Sequence, residues 1–90
     1  AYGVSKAGLI QLTKWLAVAL SPTIRVNAVS PGGIYRDQPK VFVDKYNEKT
    51  LLGRMATETD VAETVLFLLS RMSSYITGQN IIVDGGFTVK

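Results

Sequence analysis

The order of helical and strand-like segments is the feature that most limits what this chain can fold into. Two short segments rich in β-branched residues, at 24–29 and 80–83, each follow a segment with helical periodicity. Strands that alternate with helices pair in parallel and form an α/β fold. Two parallel strands do not make a stable sheet alone, because such a sheet needs covering helices and further strands. The order therefore predicts that the chain is a piece of a larger α/β domain.

A helix is predicted over residues 2–20, which contain no Pro and carry apolar residues at helical spacing. The opposite face also holds apolar residues, among them Trp15 and Val18. A helix that is apolar on both sides is usually buried on both, so we expect one face to pack on a sheet and the other on a neighbour such as a second subunit. Ser21-Pro22 ends this helix, since Pro cannot continue it.

The segment after the first strand is irregular and charged. Residues 30–33 break the strand, and residues 35–53 are of mixed composition, with a short helix expected at 41–49. A long irregular insertion after a strand often covers a substrate, so we interpret this segment as a lid.

A capping box predicts where the last helix begins. Thr57 and Asp60 have the spacing Ser/Thr-x-x-Asp/Glu, and apolar residues continue at helical spacing as far as Met72. Residues 73–78 are expected to form a turn before the second strand, and residues 84–86 a structural turn after it. Arg54 is expected to bond loop carbonyl groups.

Composition excludes several classes of protein. The sequence holds no His and no Cys, so a zinc site, a Ser-His-Asp triad or a disulfide scaffold cannot form from these residues, and no metal ligands are expected. The ten Lys and Arg residues are dispersed, which favours a solvated surface over nucleic-acid binding. The apolar runs, such as residues 65–69, are far too short to span a membrane. No basic region followed by an apolar core opens the sequence, and we expect a cytoplasmic protein; a targeting segment would precede Ala1.

Tyr2 and Lys6 are the pair of residues with the clearest chemical use. They stand four apart on the first helix, so they share one face. A nearby ammonium favours the phenolate and lowers the pKa of a tyrosine, which can then exchange a proton with a substrate oxygen. The same spacing also occurs by chance as an unremarkable polar pair, so the surrounding motifs must decide between the two interpretations.

Three motifs follow one another along the chain: YGVSKAG at residues 2–8, IRVNAVSPG at 24–32 and YITGQNIIVDGG at 75–86. Together they closely resemble the C-terminal part of the classical short-chain dehydrogenase/reductase family. The resemblance covers nearly the whole chain and is weakest in the lid. It implies that residues 1–90 are the C-terminal portion of a Rossmann-type doubly wound parallel sheet, within a single oxidoreductase domain. The N-terminal dinucleotide-binding part, the catalytic Ser and an assisting Asn would precede Ala1.

The resemblance also implies residue roles. Tyr2 matches the catalytic acid/base, and Lys6 matches the lysine that holds the nicotinamide ribose and lowers the tyrosine pKa. The turn after the first strand matches a segment beside the nicotinamide, where a backbone group of Ile34 contacts the carboxamide. Cofactor binding is thereby expected of Tyr2, Lys6, Pro31, Gly32, Gly33 and Ile34. The alternative for the glycines of this turn is an ordinary loop that needs positive φ angles.

One position departs from the family pattern. The family often carries a Thr two residues after the position of Ile34, and this sequence has Arg36 there. Two interpretations stay open: Arg36 contacts an anionic substrate or a cofactor phosphate, or it is a solvated lid cation. The basic residues of the lid favour a polar or anionic substrate. Parts of the chain also resemble members associated with bacterial surface-sugar or flagellin-modification pathways.

The function implied by the resemblance is an NAD(P)-dependent oxidoreductase that transfers a hydride between nicotinamide and a small-molecule carbonyl or secondary alcohol. The choice between NAD and NADP stays open, because residues after an earlier strand decide it. The alternative is a non-catalytic scaffold that kept the fold for dinucleotide sensing or subunit assembly. Tyr2 and Lys6 argue against that alternative, and the upstream Ser would discriminate. The doubly apolar first helix and the resemblance both predict a homodimer or homotetramer.

Overall fold

The computed structural model of the chain describes residues 2–89, without the side chain of Tyr2. Its elements in chain order are α1 (Tyr2–Leu20), β1 (Ala28–Pro31), α2 (Lys40–Glu48), α3 (Glu58–Leu69), a 3-10 helix (Arg71–Ser73) and β2 (Asn80–Val83). They belong to two compact units, one of residues 2–28 and 67–81 and the other of residues 29–66 and 82–89. None of the helices within residues 2–89 is long and apolar enough to cross a membrane.

The two strands pair in parallel, which confirms the α/β expectation. β1 and β2 are neighbours in one sheet. The Ala28 N–H donates to the Gln79 carbonyl at 2.8 Å, and the Gly32 N–H donates to the Val83 carbonyl at 2.8 Å. The two bonds advance together along both strands, as parallel pairing requires.

The first strand is shifted from its predicted position. We expected it at residues 24–29, whereas β1 begins at Ala28 and includes Pro31, which was expected to break it. Residues 24–27 make no regular ladder, because the Asn27 side chain occupies backbone groups of the facing segment. It donates to the Ile76 carbonyl and accepts from the Gln79 N–H, at 3.0 Å each. Pro31 is tolerated as the last strand residue, where its missing N–H interrupts nothing.

The last helix is shorter than predicted. The apolar pattern extends to Met72, but α3 ends at Leu69 and Met72 lies in the following 3-10 helix with 81% of its surface exposed. The hydroxyl of Ser70 accepts from the Met72 N–H at 3.2 Å and so begins a new turn instead of continuing the old one. Ser73, expected in a turn, is fully buried, and its hydroxyl donates to the Leu68 carbonyl at 2.9 Å.

Arg25 connects segments of the first unit that are far apart in the sequence. The guanidinium of Arg25 donates to the carbonyl oxygens of Leu68 at 2.9 Å and Ile76 at 3.1 Å. The C-terminal carbonyls of a helix lack partners within the helix, and here the Arg25 guanidinium and the Ser73 hydroxyl both donate to the Leu68 carbonyl. Arg25 therefore ties the end of α3 to the segment that leads into β2.

Helix α1 leaves much of its apolar surface exposed within its unit. Ala17 is buried, whereas Leu9, Trp15 and Val18 are 64%, 63% and 76% exposed. Leu9 lies on one side of the helix and Val18 on the other, so packing partners would cover apolar surface on both sides. The expected contact with a second subunit stays a prediction.

The second unit contains the expected capping box. The Asp60 N–H donates to the Thr57 hydroxyl at 3.2 Å, and the Thr57 N–H donates back to the Asp60 carboxylate at 2.8 Å. Arg54 pairs with the same carboxylate at 2.8 Å and donates to the Met55 carbonyl at 3.0 Å. The Arg54 guanidinium and the Thr57 N–H and hydroxyl hold the pKa of Asp60 well below its usual range. These contacts confirm structural roles for Thr57 and Arg54.

Candidate active site

The expected acid/base pair lies at the beginning of α1. Tyr2 is the first residue of the helix and Lys6 stands four residues further, one helical turn away. Lys6 is half-buried. The side chain of Tyr2 lies outside the described residues, so the distance between the two functional groups stays a prediction.

The expected cofactor turn is a backbone segment bonded along both edges. It comprises residues 32–34, directly after Pro31, which ends β1 with its side chain exposed. On one edge the Gly33 carbonyl accepts from the Ala56 N–H at 2.9 Å, and the next residue, Tyr35, donates its N–H to the Ala56 carbonyl at 2.8 Å. The resulting parallel bridge between Ile34 and Ala56 continues the extended backbone beyond β1.

The glycines of this turn are required by close packing, not by backbone conformation. Among the described glycines, positive φ angles occur at other positions, so the loop alternative for Gly32 and Gly33 is wrong. A Cβ at Gly33 would lie 2.7 Å from Cζ of Tyr46, and one at Gly32 would lie 2.9 Å from Cβ of Asp84. Real Cβ atoms do not approach other atoms so closely, and the neighbours are a ring and a backbone-linked carbon. Only glycine fits at these two positions.

Tyr46 is the residue of this site that sequence analysis missed. Its hydroxyl accepts the Gly33 N–H, and its ring stacks on Phe87 with centroids 4.9 Å apart. Phe42, one helical turn earlier on α2, also stacks on this ring, with centroids 6.2 Å apart. The Phe-Tyr pair at i, i+4 spacing was the available signal, because residues at that spacing share a helix face. Tyr46 therefore connects the predicted lid helix to the turn after β1.

Ile34 presents its own backbone groups on the side away from Ala56. In an extended segment the N–H and C=O of one residue point the same way, and those of its neighbours point the opposite way. The bonds to Ala56 use Gly33 and Tyr35, so the Ile34 groups face the other side. There the Ile34 carbonyl accepts from the side-chain amide of Gln38, Nε2 to O, at 3.0 Å.

Arg36 has a partner on the surface. Its guanidinium lies 3.2 Å from the Glu58 carboxylate, and the two side chains are 65% and 75% exposed. An ion pair so exposed contributes little stability. Of the two interpretations, this arrangement matches the solvated lid cation, and contact with an anionic ligand stays a prediction.

The described geometry places the predicted residues in two groups. Tyr2 and Lys6 lie on α1 in the first unit, and residues 32–34 lie in the second unit with Tyr46, Asp84 and Ala56 around them. Proton transfer by the first group and recognition of a planar amide by the backbone of the second stay predictions.

Comparison with known proteins identifies the family. A family model described as enoyl-(acyl carrier protein) reductase matches residues 1–88. A 3-oxoacyl-(acyl-carrier-protein) reductase FabG of Aquifex aeolicus is 48% identical over 90 residues, which cover 94% of this chain and 36% of that protein. The post-translational flagellin modification protein A of Campylobacter coli is 41% identical over 87 residues, covering 96% of this chain and 34% of that protein.

Solved structures agree with these relatives. A short chain dehydrogenase from Leptospira borgpetersenii with bound NAD+ matches with a TM-score of 0.90 and 50% identity, over 97% of this chain and 35% of that one. A 4-hydroxyisoleucine dehydrogenase complexed with NADH matches with a TM-score of 0.91 and 31% identity, over 99% of this chain and 40% of that one.

The chain belongs to the short-chain dehydrogenase/reductase family, and its fold is the α/β, Rossmann-type fold of those structures, as the resemblance predicted. It spans 36% of the length of the first of these curated relatives.

Proposed function

We propose that the chain works as the C-terminal part of an NAD(P)-dependent oxidoreductase that acts on a carbonyl or secondary alcohol. The relatives support this class, since their names are those of reductases and dehydrogenases and two similar structures carry NAD+ or NADH. The observation that carries the proposal for this chain is the segment of residues 32–34. It is held on one edge by Ala56 and at Gly33 by Tyr46, and it offers the Ile34 backbone groups on the other.

This segment fits the nicotinamide end of the cofactor. A nicotinamide carries a primary carboxamide, with an N–H donor and a carbonyl acceptor in one plane. The Ile34 carbonyl already accepts a primary amide N–H from Gln38 at 3.0 Å, so it is accessible to a group of that kind. We assign carboxamide binding to Ile34 and the close backbone approach to Pro31, Gly32 and Gly33.

The chain's own residues handle the proton. When bound, the nicotinamide dinucleotide supplies or accepts the hydride. Tyr2 donates its phenolic proton to the carbonyl oxygen as the alcohol forms, and accepts a proton from the alcohol in the reverse direction. Lys6 holds the nicotinamide ribose and favours the phenolate of Tyr2 through its positive charge. We assign contact with the cofactor to both Tyr2 and Lys6.

Replacing Tyr2 by Phe in the full-length protein tests the proposal. The variant loses the transferable proton, and turnover of NAD(P)H with a panel of carbonyl compounds should fall about 10²-fold or more. Tyr75→Phe is the matched control, because Tyr75 is fully exposed and its variant should keep wild-type turnover. Equal turnover of Tyr2→Phe and wild type would refute the acid/base assignment.

The finer properties belong to the same proposal. We propose a polar or anionic substrate, supported by the basic residues of α2 and the segment after it, Lys40, Lys45 and Lys49. We also propose a cytoplasmic homodimer or homotetramer, without nucleic-acid or membrane partners, in which another subunit covers one of the two apolar sides of α1. Light scattering of the full-length protein measures the assembly directly, and a monomeric mass would contradict it.

A further inference from the structure

The side chain of Gln38 folds back onto the segment that precedes it. Its Nε2 donates to the Ile34 carbonyl at 3.0 Å, and its Oε1 accepts the Arg36 N–H at 2.8 Å. Asp37 makes this return possible with a left-handed backbone conformation, φ 58°, which Asp tolerates better than most residues. Gln38 is half-buried, and its amide bonds to the backbone on both of its polar ends.

The group that Gln38 places there has the chemistry of the nicotinamide carboxamide. Both are neutral, planar primary amides with an NH₂ donor and a carbonyl acceptor. The Gln38 amide uses the Ile34 carbonyl and lies on the side to which the Ile34 N–H also points. A carboxamide that bonds to both backbone groups of Ile34 would therefore meet the Gln38 amide in its place.

We propose that Gln38 is an internal substitute for the nicotinamide carboxamide: its amide occupies the Ile34 carbonyl in the free protein and leaves when the dinucleotide binds. This inference rests on the proposed function, to which it adds a residue that sets the affinity for the nicotinamide end. We call the two hydrogen bonds of Gln38 to Ile34 and Arg36 the Gln38 latch.

The latch has a measurable consequence for affinity. We call the latch open when the Gln38 amide has left the Ile34 carbonyl, and closed when it occupies this carbonyl. If the latch is open in only a fraction of the molecules, the apparent Kd is the intrinsic Kd divided by that fraction. Two hydrogen bonds at a partly exposed site favour the closed state by a modest factor. Removing the amide should therefore lower the Kd for a nicotinamide dinucleotide by about three- to tenfold. A glutamine that only stiffened the loop would produce the opposite sign, because its loss would weaken binding.

The experiment compares NAD+ with ADP-ribose, which lacks the nicotinamide, by titration calorimetry on the full-length protein. Gln38→Ala and Gln38→Met both remove the amide, and Met keeps the length of the side chain. Both variants should bind NAD+ more tightly than wild type and bind ADP-ribose with unchanged Kd. For a protein that prefers the phosphorylated cofactor, NADP+ and its nicotinamide-free counterpart replace this pair.

Gln79→Ala is the matched control, because the Gln79 side chain also donates to a carbonyl of its own loop, that of Thr77 at 3.3 Å, and Gln79 belongs to the first unit. It should leave both affinities unchanged. Unchanged or weaker NAD+ binding in both Gln38 variants would overturn the latch, as would equal tightening for ADP-ribose. If neither ligand of either pair binds to the wild-type protein, the proposed function fails, and the latch fails with it.

A second readout needs no cofactor. The Arg36 N–H donates to the Gln38 side-chain carbonyl at 2.8 Å, so we expect it to be protected from hydrogen exchange in the free protein. Its exchange should become faster in both Gln38 variants and stay unchanged in Gln79→Ala. Equal exchange at Arg36 in wild type and both variants would show that the latch is not closed in the free protein and would overturn the inference.

Discussion

Two pairs of glycines follow the two strands, and they are glycine for different reasons. Gly32 and Gly33 follow β1 with ordinary φ angles, but a Cβ there would come within 3 Å of Asp84 or Tyr46. Gly85 and Gly86 follow β2 with φ angles of 61° and 87°, in the left-handed region that strains other residues. At Gly85 the nearest atom to an added Cβ would lie 3.7 Å away, which is ordinary contact.

The difference shows that the same dipeptide can meet two unrelated physical demands. At the first pair the limit is space, because a neighbouring ring has filled the position of the missing side chain. At Gly85 the limit is the backbone conformation, in a turn that closes around the carboxylate of Asp84. Ala and Asn distinguish the two demands, because Asn is larger than Ala but tolerates the left-handed region better. The order in which they destabilise the protein should therefore be opposite at Gly33 and Gly85.

The largest effect is expected for Gly33→Ala. The added methyl would lie 2.7 Å from Cζ of Tyr46, whose ring cannot move aside easily because it stacks on both Phe42 and Phe87. Overpacking of this kind costs about 1–3 kcal/mol, and we expect the upper part of that range. Thermal unfolding of the full-length protein measures this loss of stability.

A double substitution tests whether space is the cause. Tyr46→Ala removes the ring, so the cost of Gly33→Ala should be smaller in its presence by about 1–2 kcal/mol, a coupling expected of residues in contact. Additive losses would contradict the steric explanation. Gly33→Asn should be at least as harmful as Gly33→Ala, since it adds more atoms.

A smaller effect is expected for Gly85→Ala, because its cost is conformational. A left-handed residue other than glycine loses about 1–2 kcal/mol, and Asn tolerates this region better than Ala. Gly85→Asn should therefore be more stable than Gly85→Ala, the reverse of the order at Gly33. Thermal unfolding of the four single variants measures both orders, and the same order at both sites would refute the distinction. Gly86 is less informative, because a Cβ there would also meet the Leu51 side chain.

The smallest effect concerns the pH dependence of the second turn. The Asp84 carboxylate accepts from the Thr88 hydroxyl at 2.8 Å and from the Gly86 and Thr88 N–H groups at 2.9 and 3.1 Å. The Thr88 hydroxyl first, and then these N–H groups, hold the pKa of Asp84 below its ordinary value, although partial burial opposes them.

The sign of this pH effect follows from the lowered pKa. The carboxylate stabilises the fold fully above the unfolded pKa of about 3.9, and this contribution is lost as the pH falls through the lower folded value. Asp84→Asn removes the titrating group, so the Tm of the variant should fall less steeply than that of wild type below about pH 4. If Tm fell equally steeply with decreasing pH in wild type and Asp84→Asn, the stabilising role of the Asp84 carboxylate would be contradicted.

Much of the local structure follows from neighbouring residues. The capping box of Thr57 and Asp60 lies within one helical turn, and its hydrogen bonds are those the spacing predicts. The strand at 80–83 has its predicted bounds. The misplaced start of β1 and the early end of α3 both come from side chains of Asn27 and Ser70, which offered the backbone a competing hydrogen bond.

The functional and structural residues also divide into those that the sequence identified and those whose roles only the structure revealed. The YGVSKAG motif and the turn after β1 are contiguous in sequence, so they led to the family and to the candidate residues. The role of Tyr46 depends on a contact thirteen positions away from Gly33 in the chain. Arg25 depends on carbonyls 43 and 51 positions away. Helical periodicity predicts the face on which such a residue lies but says nothing about what that face meets.

From the residues alone one obtains the α/β order, the family and the face shared by Tyr2 and Lys6, because periodicity, caps and motif spacing act over a few residues. The three-dimensional arrangement was needed to explain why Gly32 and Gly33 carry no side chain and what the Gln38 amide bonds to. A missing Cβ looks the same in sequence whether space or φ demands it. Packing separates the two cases, because it brings distant atoms to within van der Waals distance.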